Sequence, residues 1–170
     1  MNLWFRLLHL LLCSLFRPKL EAPFGVSRLQ FRVLPNDLDS NLHMTNGRYW
    51  NIFDLGRVAL REKWAPIVGA GTIQFRRELK PFQRFTLETR LVGWVGSRGI
   101  MEQRVLIGTE QKIATRALLV TGIYDRRARQ FLGMPKMMEA IGVVAPPSPP
   151  LSAAAEALLA ADAALKQDDA

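Results

Sequence analysis

Cysteine is all but missing from this chain. Cys13 is the only one among 170 residues, which excludes an internal disulfide framework and a cysteine-based metal cluster. Histidine is nearly as scarce, with only His9 and His43, so no metal site and no metal cofactor are expected. There is no Gly-rich phosphate loop, zinc-finger spacing, RNP-like strand or suitably placed Gly-x-x-Gly clamp. Nucleic acid is therefore left out of the expected partners. The alternation of helices and strands that would build a doubly wound sheet is also absent.

What is present fits one domain with a real core. The apolar share is 49%, too high for a disordered chain, and 170 residues are too few for two ordinary domains. Twenty-three Lys and Arg stand against fifteen Asp and Glu, a net charge of +8. The leader is positive and the last twenty residues negative, so the surplus lies in the middle. Such a surface attracts polyanions, whether anionic lipid or a phosphorylated cofactor.

Residues 1–16 are strongly apolar and end at Arg17-Pro18-Lys19. The run is shorter than a membrane span and is interrupted by Arg6 and His9. No small-x-small cleavage site follows it, and Leu12 stands where a lipoprotein box needs a small residue before Cys13. Residues 1–19 are read first as an uncleaved interfacial anchor, then as a docking helix on the domain, then as a cleaved signal. Arg17 and Lys19 suit anionic headgroups on the cytoplasmic side of a membrane, so the expected location is that surface or the cytoplasm.

From Ser27 to Leu34 apolar residues alternate, with Leu29, Phe31 and Val33 on one face, which predicts a half-buried strand. Tyr49, Phe53, Gly56, Leu60 and Trp64 then recur at helical spacing, with Arg57 among the residues expected on the solvent side. Gly56 in mid-helix marks a close approach to a sheet. Pro66–Gly71 should end the helix. Strands are expected at 72–77, 85–95, 100–107 and 112–124, with turns at Lys80-Pro81, Gly96–Gly99 and Gly108–Glu110. The sum is an α+β domain with an antiparallel sheet wrapped on one long helix. A short helix over 135–141 follows. Ala145–Pro150 reads as a stiff linker, and 151–165 as an Ala-rich helix of marginal, dispensable character.

The chemistry concentrates in Asn36–Tyr49. Two carboxylates two apart, Asn41 and His43 lead into a helix that Thr45 or Asn46 is placed to cap. A helix N-terminus presents unpaired N–H groups and a favourable dipole to a developing oxyanion. Equally, Asp and Asn before a helix are ordinary caps and turn formers.

The segment Asp37-Leu38-Asp39-x-Asn41-x-His43-Met44-x-Asn46-x-x-Tyr49 resembles the signature of plant-type acyl-carrier-protein thioesterases and of the thioesterase superfamily member 6-like group. Asp39 with Tyr49 ten residues on is similar to the looser pattern of 4-hydroxybenzoyl-CoA thioesterases. All are hotdog folds, and the resemblance covers about residues 26–143, followed by a tail over 144–170. It implies that Asp39 is the catalytic carboxylate, supported by Asn41 and His43, with Glu78 supplied by Phe75–Glu78. Leu79 stands where the plant enzymes have cysteine, so a papain-like mechanism is not implied. Member 6-like proteins also carry an apolar leader. Such small domains resemble one another in pairing through their sheets, as a homodimer or a dimer of dimers.

The expected reaction is hydrolysis of an acyl thioester, carried by coenzyme A or by a carrier protein, with no cofactor. Asn46 and Gly47 N–H groups would polarise the carbonyl, while Asp39 activates water or attacks to give a mixed anhydride. Asn41 either orients the water, holds His43 or stabilises the turn. His43 either shuttles a proton or packs against Asp37, and Glu78 either orients His43 or the water or is merely solvated. Tyr49 and Phe53 are candidates to line the acyl site, with Trp64 or Trp94 as further channel residues. Arg76, Arg77, Lys80 and Arg84 are candidates for the coenzyme A phosphates. The competing readings are an acyl- or lipid-binding protein without turnover and, more remotely, a dehydratase of hydroxyacyl thioesters.

Overall fold

Alternation of apolar and polar residues builds five strands into one antiparallel sheet in the order β1-β3-β4-β5-β2. These are β1 (Ser27–Arg32), β2 (Ile67–Phe75), β3 (Arg84–Val95), β4 (Arg98–Ile107) and β5 (Lys112–Asp125). A short β6 (Gln130–Leu132) pairs with β5. The helices are α1 (Asn2–Ser14), α2 (Asn46–Val58), α3 (Met134–Ala140) and α4 (Ala153–Asp168). This computed structural model describes residues 2–14, 24–59, 66–125, 129–140 and 142–168, so Leu60 and Trp64 lie outside the described residues.

The inner face of the sheet closes on α2. Leu29, Leu87 and Val105 from three neighbouring strands are fully buried with Ile52 and Phe53 of the helix. Each such side chain contributes about 1.5–3 kcal/mol by leaving water. Gly56 permits the contact: a Cβ there would lie 2.5 Å from Thr89 Oγ1 and 2.7 Å from Gln103 Nε2. Gln103 donates to the Phe53 carbonyl at 2.9 Å, which satisfies a buried amide between helix and sheet.

Arg57 corrects the sequence reading. Its side chain turns inward, pairing with Asp54 and donating to Gln103 Oε1 at 3.3 Å. Burial lowers its pKa, while Asp54 opposes that shift. The strand after α2 also starts earlier than expected, at Ile67, because the Gly-rich segment pairs with β5 through a register shift between Val68 and Ala70. Thr45 occupies the cap position of α2 but makes no side-chain capping bond.

The outer face carries the other half of each alternation. Towards one end, Ile100, Leu118 and Val120 lie beneath Ala155 and Leu158 of α4. The segment expected to be dispensable thus packs on the sheet, because small alanines let the helix lie close. Its linker is fastened too: Ser148 Oγ accepts from Trp94 N at 2.9 Å, and a Cβ on Gly93 would meet Leu151 at 2.6 Å. Further along, charged residues pair across strands. Glu88 takes Arg28 at 2.8 Å and Arg104 at 2.5 Å, and Glu102 takes Arg90 and Arg116, each at 2.6 Å.

Candidate active site

The loop between β1 and α2 separates its two carboxylates by environment. Asp37 is fully buried. Its Oδ2 lies 2.5 Å from Arg6 of α1 and accepts from Leu34 N at 2.9 Å, and its Oδ1 pairs with Arg48 at 3.0 Å. Its carbonyl takes the Thr45 N–H at 2.9 Å. Asp37 is therefore the structural anchor of the loop. Arg6 and Arg48 are the participants that sequence reasoning missed. Arg48, in the first turn of α2, could have been found by asking which cation neutralises a buried aspartate; nothing local marks Arg6.

Asp39 stands in the open. Its Oδ1 accepts from Asn41 N at 2.9 Å and His43 N at 3.2 Å, folding the loop back on itself. The turn closes with Asp39 N donating to the His43 carbonyl at 2.8 Å. Leu42 sits at its tip with φ of 59°, a left-handed conformation that a leucine adopts only at a cost. Beyond the turn, exposed Asn46 and Gly47 open α2, and their N–H groups precede the helix's own bonding pattern. A Cβ on Gly47 would meet nothing within 4 Å, so that approach is open.

His43 Nε2 lies 3.0 Å from Glu78 Oε2, on the segment leaving β2. Lys80 is 4.0 Å from the same carboxylate. The loop, the helix start and the β2–β3 connection thus meet in one exposed cluster. Tyr49 and Phe53 instead lie in the packed core, at 2% and 0% exposure. Burial raises the Tyr49 phenol above its ordinary value, while the Thr115 hydroxyl opposes the shift.

The four cations proposed for phosphate are exposed. Arg76 donates to Gln74 at 2.8 Å and Arg77 to the Ile113 carbonyl at 2.7 Å, while Arg84 opens β3 opposite Arg32. Trp94 is buried with Met134, Met137 and Met138 beneath α3. A cavity of about 470 Å³ opens elsewhere, on the outer sheet face between Arg28, Glu88, Arg104, Leu106, Gln111 and Ile113, and it includes none of the expected site residues. Among the described residues, no cluster of His, Cys, Asp and Glu could hold a metal ion.

A curved antiparallel sheet in this strand order, wrapped on a single inner helix, is the hotdog fold. The chain belongs to the thioesterase-like superfamily, whose family model matches residues 33–142. Among curated relatives it is similar to Protein THEM6 of Danio rerio, 37% identical over 43% of this chain and 42% of the relative. Protein THEM6 of Xenopus laevis is 36% identical over 42% and 40%. The chain therefore spans about two fifths of the length of the curated relatives it matches.

Among solved structures, a thioesterase superfamily protein of Jannaschia sp. CCS1 superposes with a TM-score of 0.59 at 15% identity, covering 74% of this chain and 89% of its own. A Staphylococcus aureus protein, SAV2348, solved in complex with CoA, gives 0.56 at 14% identity over 71% and 83%.

Proposed function

We propose that the chain hydrolyses an acyl thioester, in first preference an acyl-CoA, to the free acid and thiol. The observation carrying this reading is the exposed Asp39 carboxylate, held by two loop N–H groups within the same short segment that opens α2. Asp39 takes a proton from water as the water oxygen bonds to the carbonyl carbon. The developing oxyanion is met by the Asn46 and Gly47 N–H groups, and the C–S bond then breaks with release of thiolate. Asn41 keeps the turn in shape, and Glu78 holds His43 beside it. The CoA-bound relative supports the choice of substrate class, with Arg76, Arg77, Lys80 and Arg84 as the cations available to its phosphates.

The working form in this reading is a homodimer formed at the free edge of β2. Supporting this are its edge position and the exposure of Ile67 and Phe75 along it. The apolar, acid-free α1 supports work against the cytoplasmic face of a membrane. A second reading is favoured by the way Asp39 Oδ1 and His43 are already engaged in loop contacts: a protein that binds acyl-CoA without turnover. The deciding experiment tests the chain and Asp39→Asn against acyl-CoAs of graded length. Selective hydrolysis lost in the variant supports the enzyme; tight binding without turnover in either favours the second reading.

A further inference from the structure

Helix α1 is docked with Arg6 inward and an apolar stripe outward. Arg6 donates to the Arg32 carbonyl at 2.9 Å and to Asp37 at 2.5 Å, with its guanidinium 5.8 Å from the centre of the Phe31 ring. Leu10, one turn along, is buried in the core. On the other side Trp4, Phe5, Leu8, Leu11 and Leu12 are between 48% and 74% exposed. These positions follow i, i+1, i+4, i+7, i+8 and form one continuous stripe. A surface helix of a globular domain normally turns such a stripe to the core, and a contiguous apolar patch left in water marks an interaction surface.

The charge pattern selects the occupant. The stretch from Asn2 to Ser14 contains no acidic residue, the exposed Arg32 lies beside it at the end of β1, Arg17 and Lys19 follow in sequence, and the whole chain carries +8. A second copy docked face to face would bring like charges together, whereas an anionic lipid surface neutralises them. Among the described residues no helix is long and apolar enough to cross a membrane. With Arg6 and Leu10 held on the domain, one side of α1 is left to meet lipid, which sets the helix in the interfacial plane with Trp4 at headgroup depth.

We infer that the outer stripe of α1 rests in the surface of an anionic bilayer, and that the Arg6–Asp37 pair fastens this contact to the loop that carries Asp39. The inference deepens the membrane contact proposed above and does not depend on turnover. The buried Asp37 carboxylate joins three elements: Arg6 from α1, Leu34 N before the loop, and Arg48 from the first turn of α2. A force on α1 is therefore delivered to the helix start where Asn46 and Gly47 sit.

The test uses the whole chain with vesicles of phosphatidylcholine containing about 30 mol% phosphatidylserine, beside pure phosphatidylcholine vesicles. The expected result is co-flotation with the anionic vesicles, weakened by salt. Replacing Trp4, Leu8 and Leu11 together by Ser should lower the partition coefficient at least about tenfold and leave the melting temperature unchanged. No vesicle binding by the parent overturns the inference, as does equal binding by the triple variant. So does a triple variant that breaks up an assembly formed without lipid, since the stripe would then be a contact between copies. Arg6→Met should still bind vesicles but lose the slowing of amide exchange across residues 36–46 that vesicles produce in the parent. Equal slowing in both overturns the fastening role. Hydrolysis of a short soluble acyl-CoA, recorded in parallel, reports on turnover separately.

Discussion

His43 Nε2 and Glu78 Oε2 sit 3.0 Å apart and join the loop before α2 to the segment after β2. Both side chains are more than one third exposed, so the pair adds little to stability. Glu78→Ala is expected to shift the unfolding free energy by less than about 1 kcal/mol yet reduce acyl-CoA hydrolysis by about ten- to a hundredfold by freeing the imidazole. Urea titration beside initial rates checks this; a large loss of stability would reassign the pair to the fold.

Asp37 and Asp39 should separate cleanly by mutation. Removing the Asp37 carboxylate leaves Arg6 and Arg48 without their buried partner, so Asp37→Ala should cost about 3–5 kcal/mol. Asp39→Asn keeps an oxygen for the Asn41 and His43 N–H groups and should change stability by less than about 1 kcal/mol, while hydrolysis disappears. Denaturation curves and rates measured on both variants test the division. Equal destabilisation by the two would sink it.

Gly56→Ala sets two effects against each other. Alanine favours a helix by about 1 kcal/mol over glycine, but its methyl group would meet Thr89 at 2.5 Å and both Gln103 and Leu87 at 2.7 Å. Overpacking wins, and a net loss of about 1–2 kcal/mol is expected, read as a lower melting temperature.

The outer face predicts an acid limb. Burial alone raises the Glu102 carboxyl, but hydrogen bonds from Arg90 and Arg116, with their charges, outweigh it and hold the carboxyl below its ordinary value of 4.5. A carboxyl depressed in the folded state stabilises fully above the unfolded value and loses that contribution as pH falls through the folded one. Glu102→Gln should therefore be less stable at neutral pH and show a shallower decline than the parent as pH falls below the ordinary carboxyl value of 4.5. Urea midpoints across that range decide it.

The inner half of the fold was legible because period-two and period-3.6 patterns say which side of a strand or helix is buried. Leu29, Phe53 and Gly56 were all placed that way. Arg57 was misread because periodicity assigns a face and does not see the buried Gln103 that can receive a guanidinium. The early start of β2 was hidden by glycines, which carry no side-chain alternation. In the site, the loop pattern singled out Asp37 and Asp39 together, but the buried one is distinguished from the open one by its cations, Arg48 in the first turn of α2 and Arg6, far away in sequence. Tyr49 and Phe53 were candidates to touch an acyl chain, and in the single chain both are buried against α2's neighbours.

The family match ends at residue 142, but Ile100, Leu118 and Val120 are covered by Ala155 and Leu158 beyond it. The unit that similarity recognises is thus shorter than the unit that buries its own apolar surface. A protein trimmed to the homologous segment would expose a bare patch in mid-sheet and become sticky. The same cover closes that part of the sheet to any neighbour stacked against its back.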